Sequence, residues 1–295
     1  MKPISLLVGN DINNATQQLS WDVLLSKIID FCGVSDKVER HKEKPFPLVY
    51  EEIFLTALHK GHIDEIALKT FIAENVNVIK PNEIHQRIEK MKLPHIMTTN
   101  YEYSLENGLP DKNTGMVKER IYSIFRRSQK GPTTYWHVHG ECRSPQSINL
   151  GYEHYGGQLQ QMRNYVVTGT DYKTKGIFKQ SLEYRLQNGR INHQSWIDLF
   201  FTSDVHIFGL SLDFSETDLW WLLTYRARLK YYRKLPINNR LYYYVPDKFS
   251  AASKFKLDLL RVNGVEVVEF PYPSPLEYYR SVLGHIEGMI TEEGH

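Results

Sequence analysis

The second half of the chain sets the narrowest limit on the fold. From Val205 onward, apolar runs of strand length (Val205 to Phe208, Leu241 to Val245, Val265 to Phe270) alternate with helical patterns. These patterns cover Ser215 to about Arg233, Phe249 to Arg261, and a last stretch from Pro275. Each continuous apolar run predicts a strand buried on both faces, and the helices between supply the crossovers that parallel strands need. The expected class is α/β, a doubly wound parallel sheet of Rossmann-like type. The N-terminus agrees, because Ile4 to Val8 is a continuous apolar run stopped by Gly9.

Between that strand and the next, Leu93 to Thr99, the periodicity is helical. Ser20 stands where an N-cap belongs, ahead of Trp21, Val23, Leu24, Leu25, Ile28, Ile29 and Phe31, whose spacing marks one helix face. Residues 46–79 repeat the pattern, broken at Gly61, and Pro81 suits the first turn of a helix through Met91. In the middle third, Val117 to Phe125 and Tyr135 to His139 read as strands joined by a turn at Lys130-Gly131-Pro132. Gly151 to Gly157 reads as a loop, and Gln158 to Val167 and Ile177 to Leu186 as helices. We expect one domain over residues 1–295, with helical insertions at about 40–92 and 151–195, the second a small lobe or lid.

Composition excludes several classes. Hydrophobic residues at 41% and charged residues at 24% describe a globular chain, and 36 Lys plus Arg against 34 Asp plus Glu leave a net charge of +2. That balance does not point to direct nucleic-acid binding. No run approaches the roughly 18 apolar residues of a membrane span. The two cysteines, Cys32 and Cys142, lack the close spacing of a zinc or redox motif, so no metal is expected. Isolated thiols and a start without a secretory pattern predict a cytoplasmic protein.

Ligands of an open parallel sheet collect beyond the carboxyl ends of its strands. Four loops there carry unusual residues: Gly9-Asn10-Asp11-Ile12-Asn13, Thr98-Thr99-Asn100-Tyr101-Glu102, His137-Val138-His139-Gly140-Glu141 and Gly209-Leu210-Ser211. Taken singly each has an ordinary explanation. Gly9-Asn10 suits a plain turn, Asn100 suits a helix cap near Tyr101, and His137 and His139, on one strand face, suit a core. Gly140 favours a site, since it lets backbone or ligand approach closely.

Together, and in this order, the four loops resemble the sirtuin-like NAD-binding family. Its members carry Gly-Ala-Gly-x-Ser after the first strand, then Thr-Gln-Asn-x-Asp, a His-Gly pair, and Gly-x-Ser. The likeness is nearest to the sirtuin-like proteins of bacterial antiviral defence, whose second motif reads Thr-Thr-Asn-Tyr-Asp. The resemblance implies a sirtuin-like fold and cleavage of NAD to nicotinamide and ADP-ribose. Asn100 would hold the ribose or the attacking water, and His139 would accept a proton. Gly9, Asn10 and Asn13 would offer donors to the diphosphate, with Asp11 and Thr99 beside them, while Gly209 and Ser211 would line the adenine-side ribose. Asp11 stands where the family has its second Gly, and Glu102 where it has Asp. The zinc module of deacylating sirtuins is absent, which fits the defence branch.

The resemblance further implies control by self-assembly, or by a partner such as a ring-forming ATPase or an Argonaute-like protein, because no effector or sensor domain is read after the last helix. Two alternatives remain open: a module that senses NAD or ADP-ribose without catalysis, and an NAD-dependent protein deacylase. The paired tyrosines at 231–232 and 242–244 suit an oligomer interface or alternating strand positions.

Overall fold

Ile4–Val8, buried at every position, forms β1 at the centre of the sheet. We describe a computed structural model covering residues 2–16, 20–39, 41, 43–61, 63–111, 114–115, 119–169 and 180–293. One helical turn, α1 (Asp11–Asn14), follows β1, and four helices then precede β2 (His95–Thr98): α2 (Trp21–Phe31), α3 (Phe46–His59), α4 (Glu65–Val76) and α5 (Glu83–Lys90). Their starts follow from side-chain caps. The Ser20 hydroxyl accepts from the Val23 N–H at 3.4 Å, Asp64 accepts from Ala67 at 2.7 Å, and Asn82 accepts from Ile84 and His85 at 2.9 and 3.3 Å.

The hairpin β3 (Ser128–Lys130) and β4 (Thr133–His137) turns through Gly131, whose φ of 57° favours glycine. Next come α6 (Tyr152–Val167), α7 (Leu182–Gln187), α8 (Trp196–Thr202), β5 (Asp204–Phe208) and α9 (Thr217–Ala227), which runs into a π-helical turn at Arg228–Tyr232. The chain closes with β6 (Leu241–Pro246), α10 (Asp247–Ser250), α11 (Lys254–Val262), β7 (Val265–Phe270) and α12 (Pro275–Glu293).

The seven strands lie in the order β3-β4-β2-β1-β5-β6-β7. All neighbours are parallel except β3 against β4, so the architecture is the doubly wound α/β sheet read from the sequence. Strand alternation divides the apolar residues between two faces. Leu7, Met97, Trp136 and Ile207 pack under α6, α8 and α9. Leu6, Ile96, Tyr135 and Phe208 pack under α5 and α12. A third core joins α2, α3 and α4, and reaches Tyr101, Ile148 and Leu150 in the loops at the strand ends.

Three local readings are corrected. Within 117–125, residues 117–118 lie outside the described set, and 119–125 is not a strand. There the N–H groups of Ile124, Phe125 and Arg126 bond to the Glu119 carboxylate at 2.9, 3.0 and 2.7 Å, so apolar residues are buried without a strand partner. The stretch 151–157 is a loop only at Gly151. Helix α6 starts at Tyr152, and Gly157 sits inside it where the Tyr122 side chain fills the place of a Cβ. The expected helix 177–186 is seen as Leu182–Gln187, with 177–179 outside the described residues. Among the described residues no helix is long and apolar enough to cross a membrane.

Candidate active site

Chain order diverges at β1, whose sheet neighbours are β2 and β5, and the crevice opens at that switch point. The loops leaving β1 and β5 are held together by backbone. The Gly9 N–H donates to the Phe208 carbonyl at 3.0 Å and the Asp11 N–H to the Gly209 carbonyl at 2.9 Å. A Cβ on Gly9 would fall on the Gly209 carbonyl, so this glycine is required by loop packing. Gly209 itself has a φ of +67°.

The crevice has a volume of about 390 Å³, within the range of small-molecule sites. Asn10, Asp11 and Thr99 line its floor with Gly209 and Ser211, and His139 and Glu216 line one wall. Trp21, Phe46 and Lys44 reach in from the α2–α4 lobe, and Tyr155 from α6. Beyond the 209–211 loop lies a second cavity of about 420 Å³, bordered by Asp11, Gly209 and Ser211 on one side and by Tyr243, Tyr272 and Tyr278 on the other.

His139 lies just past the end of β4. Its Nε2 is 2.9 Å from Asp218 Oδ2, with side-chain exposures of 3% and 0%. Asp218, in the first turn of α9, also accepts the Leu219 N–H at 2.8 Å. The loop holding His139 is fixed by Gly140, whose φ is +99° and whose Cβ position is filled by the Ser147 carbonyl. It is fixed again by the Asn149 N–H, which donates to the His139 carbonyl at 2.9 Å. Among the described residues Nδ1 of His139 has no hydrogen-bond partner, so the ring presents that nitrogen to the crevice. Burial disfavours the imidazolium, but the charge and hydrogen bond of Asp218 outweigh it, and the His139 pKa is raised above 6.5.

His137 does different work. Its Nδ1 donates to the Asn100 carbonyl at 2.6 Å and its Nε2 pairs with Glu106 at 2.8 Å, away from the crevice. Burial opposes its charge, yet Glu106 prevails and pushes the pKa up to about 9.

Asn100 does not share a cavity with His139. It lines a separate small pocket with Asn10 and Glu102, of about 30 Å³, room for one water. Trp21 and Tyr101 border both spaces, their rings edge to face at 5.9 Å. Tyr101 is anchored by its hydroxyl, which donates to the Asn149 carbonyl at 2.7 Å. No helix starts at Tyr101, so Asn100 is not a cap; its amide nitrogen donates to Glu102 at 3.3 Å and its buried Oδ1 has no partner among the described residues.

Asn13 lines neither space. Its amide nitrogen is spent on Asn10 and Glu102, both at 2.9 Å, so it orders the loop instead of facing a diphosphate. Burial pushes the Glu102 carboxyl up, against the Asn13 hydrogen bond. Asp11 borders both large cavities, and desolvation raises its pKa as well, against the Asn14 amide.

Sequence reasoning missed Asp218 and Glu216. Both sit in the Ser-Glu-Thr-Asp run that opens α9, where acidic residues are common for their effect on the helix dipole, so the run alone gives no further signal. Glu216 holds the N-cap position without capping. Its Oε1 accepts the Asp213 N–H at 3.2 Å, and its Oε2 is buried without a partner among the described residues. Burial pushes its pKa up to about 7, against the pull of His139. Among the described residues no group of His, Cys, Asp or Glu is placed to hold a metal ion.

A parallel sheet with a polar crevice at its switch point places a candidate ligand site where open α/β sheets bind their ligands. Within it, residues 94–212 match the family model of the SIR2-like domain, which supports a sirtuin-like chain with an NAD-related role. The matched stretch carries Thr99, Asn100, His139, Gly209 and Ser211 and stops short of Glu216 and Asp218. No curated protein matches the chain.

Proposed function

We propose that the protein is an NAD glycohydrolase of the antiviral-defence type, cleaving the nicotinamide N-glycosidic bond. The observation that carries this reading is the buried His139–Asp218 pair, which presents one imidazole nitrogen to a crevice at the switch point of a SIR2-like sheet. The nicotinamide riboside half occupies the crevice beside His139, and the adenosine half the second cavity, past Gly209 and Ser211. The pyrophosphate then crosses near Asp11, whose carboxyl burial pushes up from its ordinary value.

Nicotinamide leaves as a neutral molecule from a cationic ring, so the site needs to position the ribose, stabilise positive charge at its anomeric carbon and deliver water. His139 holds a ribose hydroxyl through Nδ1, and Asn100 holds the water or the ribose from its small pocket. Trp21 and Tyr101, with Asn10, border both spaces, so a shift of these side chains would join them. Such a shift would suit control by self-assembly or by a partner protein bearing on the helical lobe, such as a ring-forming ATPase or an Argonaute-like protein.

The test is incubation of the purified chain with NAD, with nicotinamide and ADP-ribose followed by chromatography. Equimolar release of both products is expected. Tight binding with no release would favour a sensor, and product formation only with an acylated peptide would favour a deacylase.

A further inference from the structure

We propose that Glu216 is a catalytic residue of this crevice, its carboxylate taking the proton of the water that attacks the ribose. The inference rests on the NAD-cleavage reading and adds to it the residue that accepts the proton. In the step, the water oxygen bonds to the anomeric carbon as the carbon–nitrogen bond to nicotinamide breaks. The bonding pair stays on the nicotinamide nitrogen and neutralises it, one water proton passes to Glu216, and the other remains on the new anomeric hydroxyl. Release of the captured proton to solvent restores the carboxylate.

The geometry singles out this carboxyl. Glu216 stands at the N-cap of α9 without bonding to the amides of its own helix, and it lines the crevice. One oxygen is steadied by the Asp213 N–H, and the other is buried with nothing bonded to it among the described residues. The neighbouring acids are committed. Asp218 is spent on His139 and the Leu219 N–H, and Asp213 on the N–H and hydroxyl of Ser215 at 2.9 and 2.6 Å. The loop is braced from below, where the Tyr243 hydroxyl donates to the carbonyls of Leu210 and Ser211 at 2.9 and 3.2 Å, and Lys256 donates to Ser211 at 2.6 Å.

The charges facing Glu216 come from every side. His139 stands beyond β4 and Asp218 on α9, with Asp213 in the preceding loop, Tyr101 and Tyr155 across the crevice, and Tyr243 and Lys256 beneath. Burial raises the carboxyl to about 7, where a general base works best at neutral pH. All three tyrosines are pushed above 10 by their own burial and stay neutral there. His139 is engaged through Nε2 with Asp218, which raises its pKa, and in this reading its other nitrogen serves the ribose hydroxyl.

The experiment compares nicotinamide release by the full chain and by Glu216→Gln and Glu216→Asp across about pH 5.5 to 8.5, with thermal melting as the fold control. Wild-type kcat is expected to rise with pH through about 7, as the carboxyl ionises. Glu216→Gln should lose about 10² to 10⁴ in kcat, with KM nearly unchanged, and should lose that rise. Glu216→Asp should keep the rise with a displaced midpoint, which holds the inference open to refutation even if the Gln variant fails to fold. Retention of kcat within about three-fold in folded Glu216→Gln, or an identical midpoint in Glu216→Asp, would overturn the inference and leave NAD cleavage standing. A wild-type chain that releases no nicotinamide at any pH would overturn both.

Discussion

Replacing Asp218 with Asn should reverse the sign of the pH dependence that His139 gives to stability. In the wild type the His139 pKa lies above its unfolded value near 6.5. Its contribution is therefore fully present below pH 6.5 and is lost as pH rises through the folded value. Asp218→Asn keeps the shape and an acceptor for the Leu219 N–H but removes the charge that outweighs burial. Glu216 does not replace it at acid pH, since that carboxyl is itself mostly protonated below about 7. What remains is chiefly burial, and the same protein shows its effect: His85 and His206, buried without a carboxylate partner among the described residues, are pushed down to about 4 and about 3, the latter with a smaller push from His285. His139 in the variant should fall towards that range. Each unit of pH below 6.5 then costs the variant about 1.4 kcal/mol, or about 2 kcal/mol between pH 6.5 and 5 that the wild type does not lose. Urea unfolding of both proteins from about pH 5 to 8 measures this directly. The stability gap should be widest at the acid end and narrow as pH rises. A gap that is independent of pH, or that widens towards pH 8, would refute the assignment of Asp218 as the group that holds the His139 proton.

Two further outcomes follow from the same geometry. His137→Ala should cost about 3 to 5 kcal/mol, because it leaves Glu106 buried without its partner. With a folded pKa of about 9 against 6.5 unfolded, that loss should be largest below pH 6.5 and shrink as pH approaches 9; urea unfolding at several pH values checks it. Trp21→Ala removes one side of the wall between the Asn100 pocket and the crevice. Nicotinamide release without any partner should rise several-fold, as about 1 kcal/mol of gating cost is removed, and an unchanged or lower rate in a folded variant would count against a gating role.

The parts of the molecule that the sequence displayed are those decided within a few residues. Val8 ends an all-apolar strand and Gly9 follows it; Ser20 caps α2; Gly131 turns a hairpin. Each depends on local backbone conformation or on a short apolar run, which the order of residues carries directly. The stretch 119–125 misled because burial and strand pairing usually coincide, and here the Glu119 carboxylate supplies the hydrogen bonds that a neighbouring strand would otherwise give. Asp218 was hidden for a different reason. It meets His139 across 79 positions of sequence, and only the fold brings the loop after β4 to the first turn of α9.

The separation of Asn100 from His139 follows from packing that no motif records. Asn100 is placed by its own strand, through the Thr98 hydroxyl that accepts its N–H at 3.0 Å and through His137 beneath its carbonyl. Trp21 is placed by the lobe, because Leu24, Leu25, Ile28 and Ile29 on the same helix bury against Tyr50, Ile53, Leu68 and Ile72. The third core, however, does not end in the lobe. It includes Tyr101, Ile148 and Leu150, and Asn149, between the last two, bonds to His139 through its N–H and to Tyr101 through its carbonyl. A displacement of α2 that admits Asn100 to the crevice therefore works against the same apolar contacts that hold the His139 loop. Closely packed cores resist small continuous shifts and favour discrete rearrangements. The lobe and the His139 loop are accordingly expected to move as one unit, which makes the helices between β1 and β2 the part of the chain through which assembly or a partner would reach the chemistry.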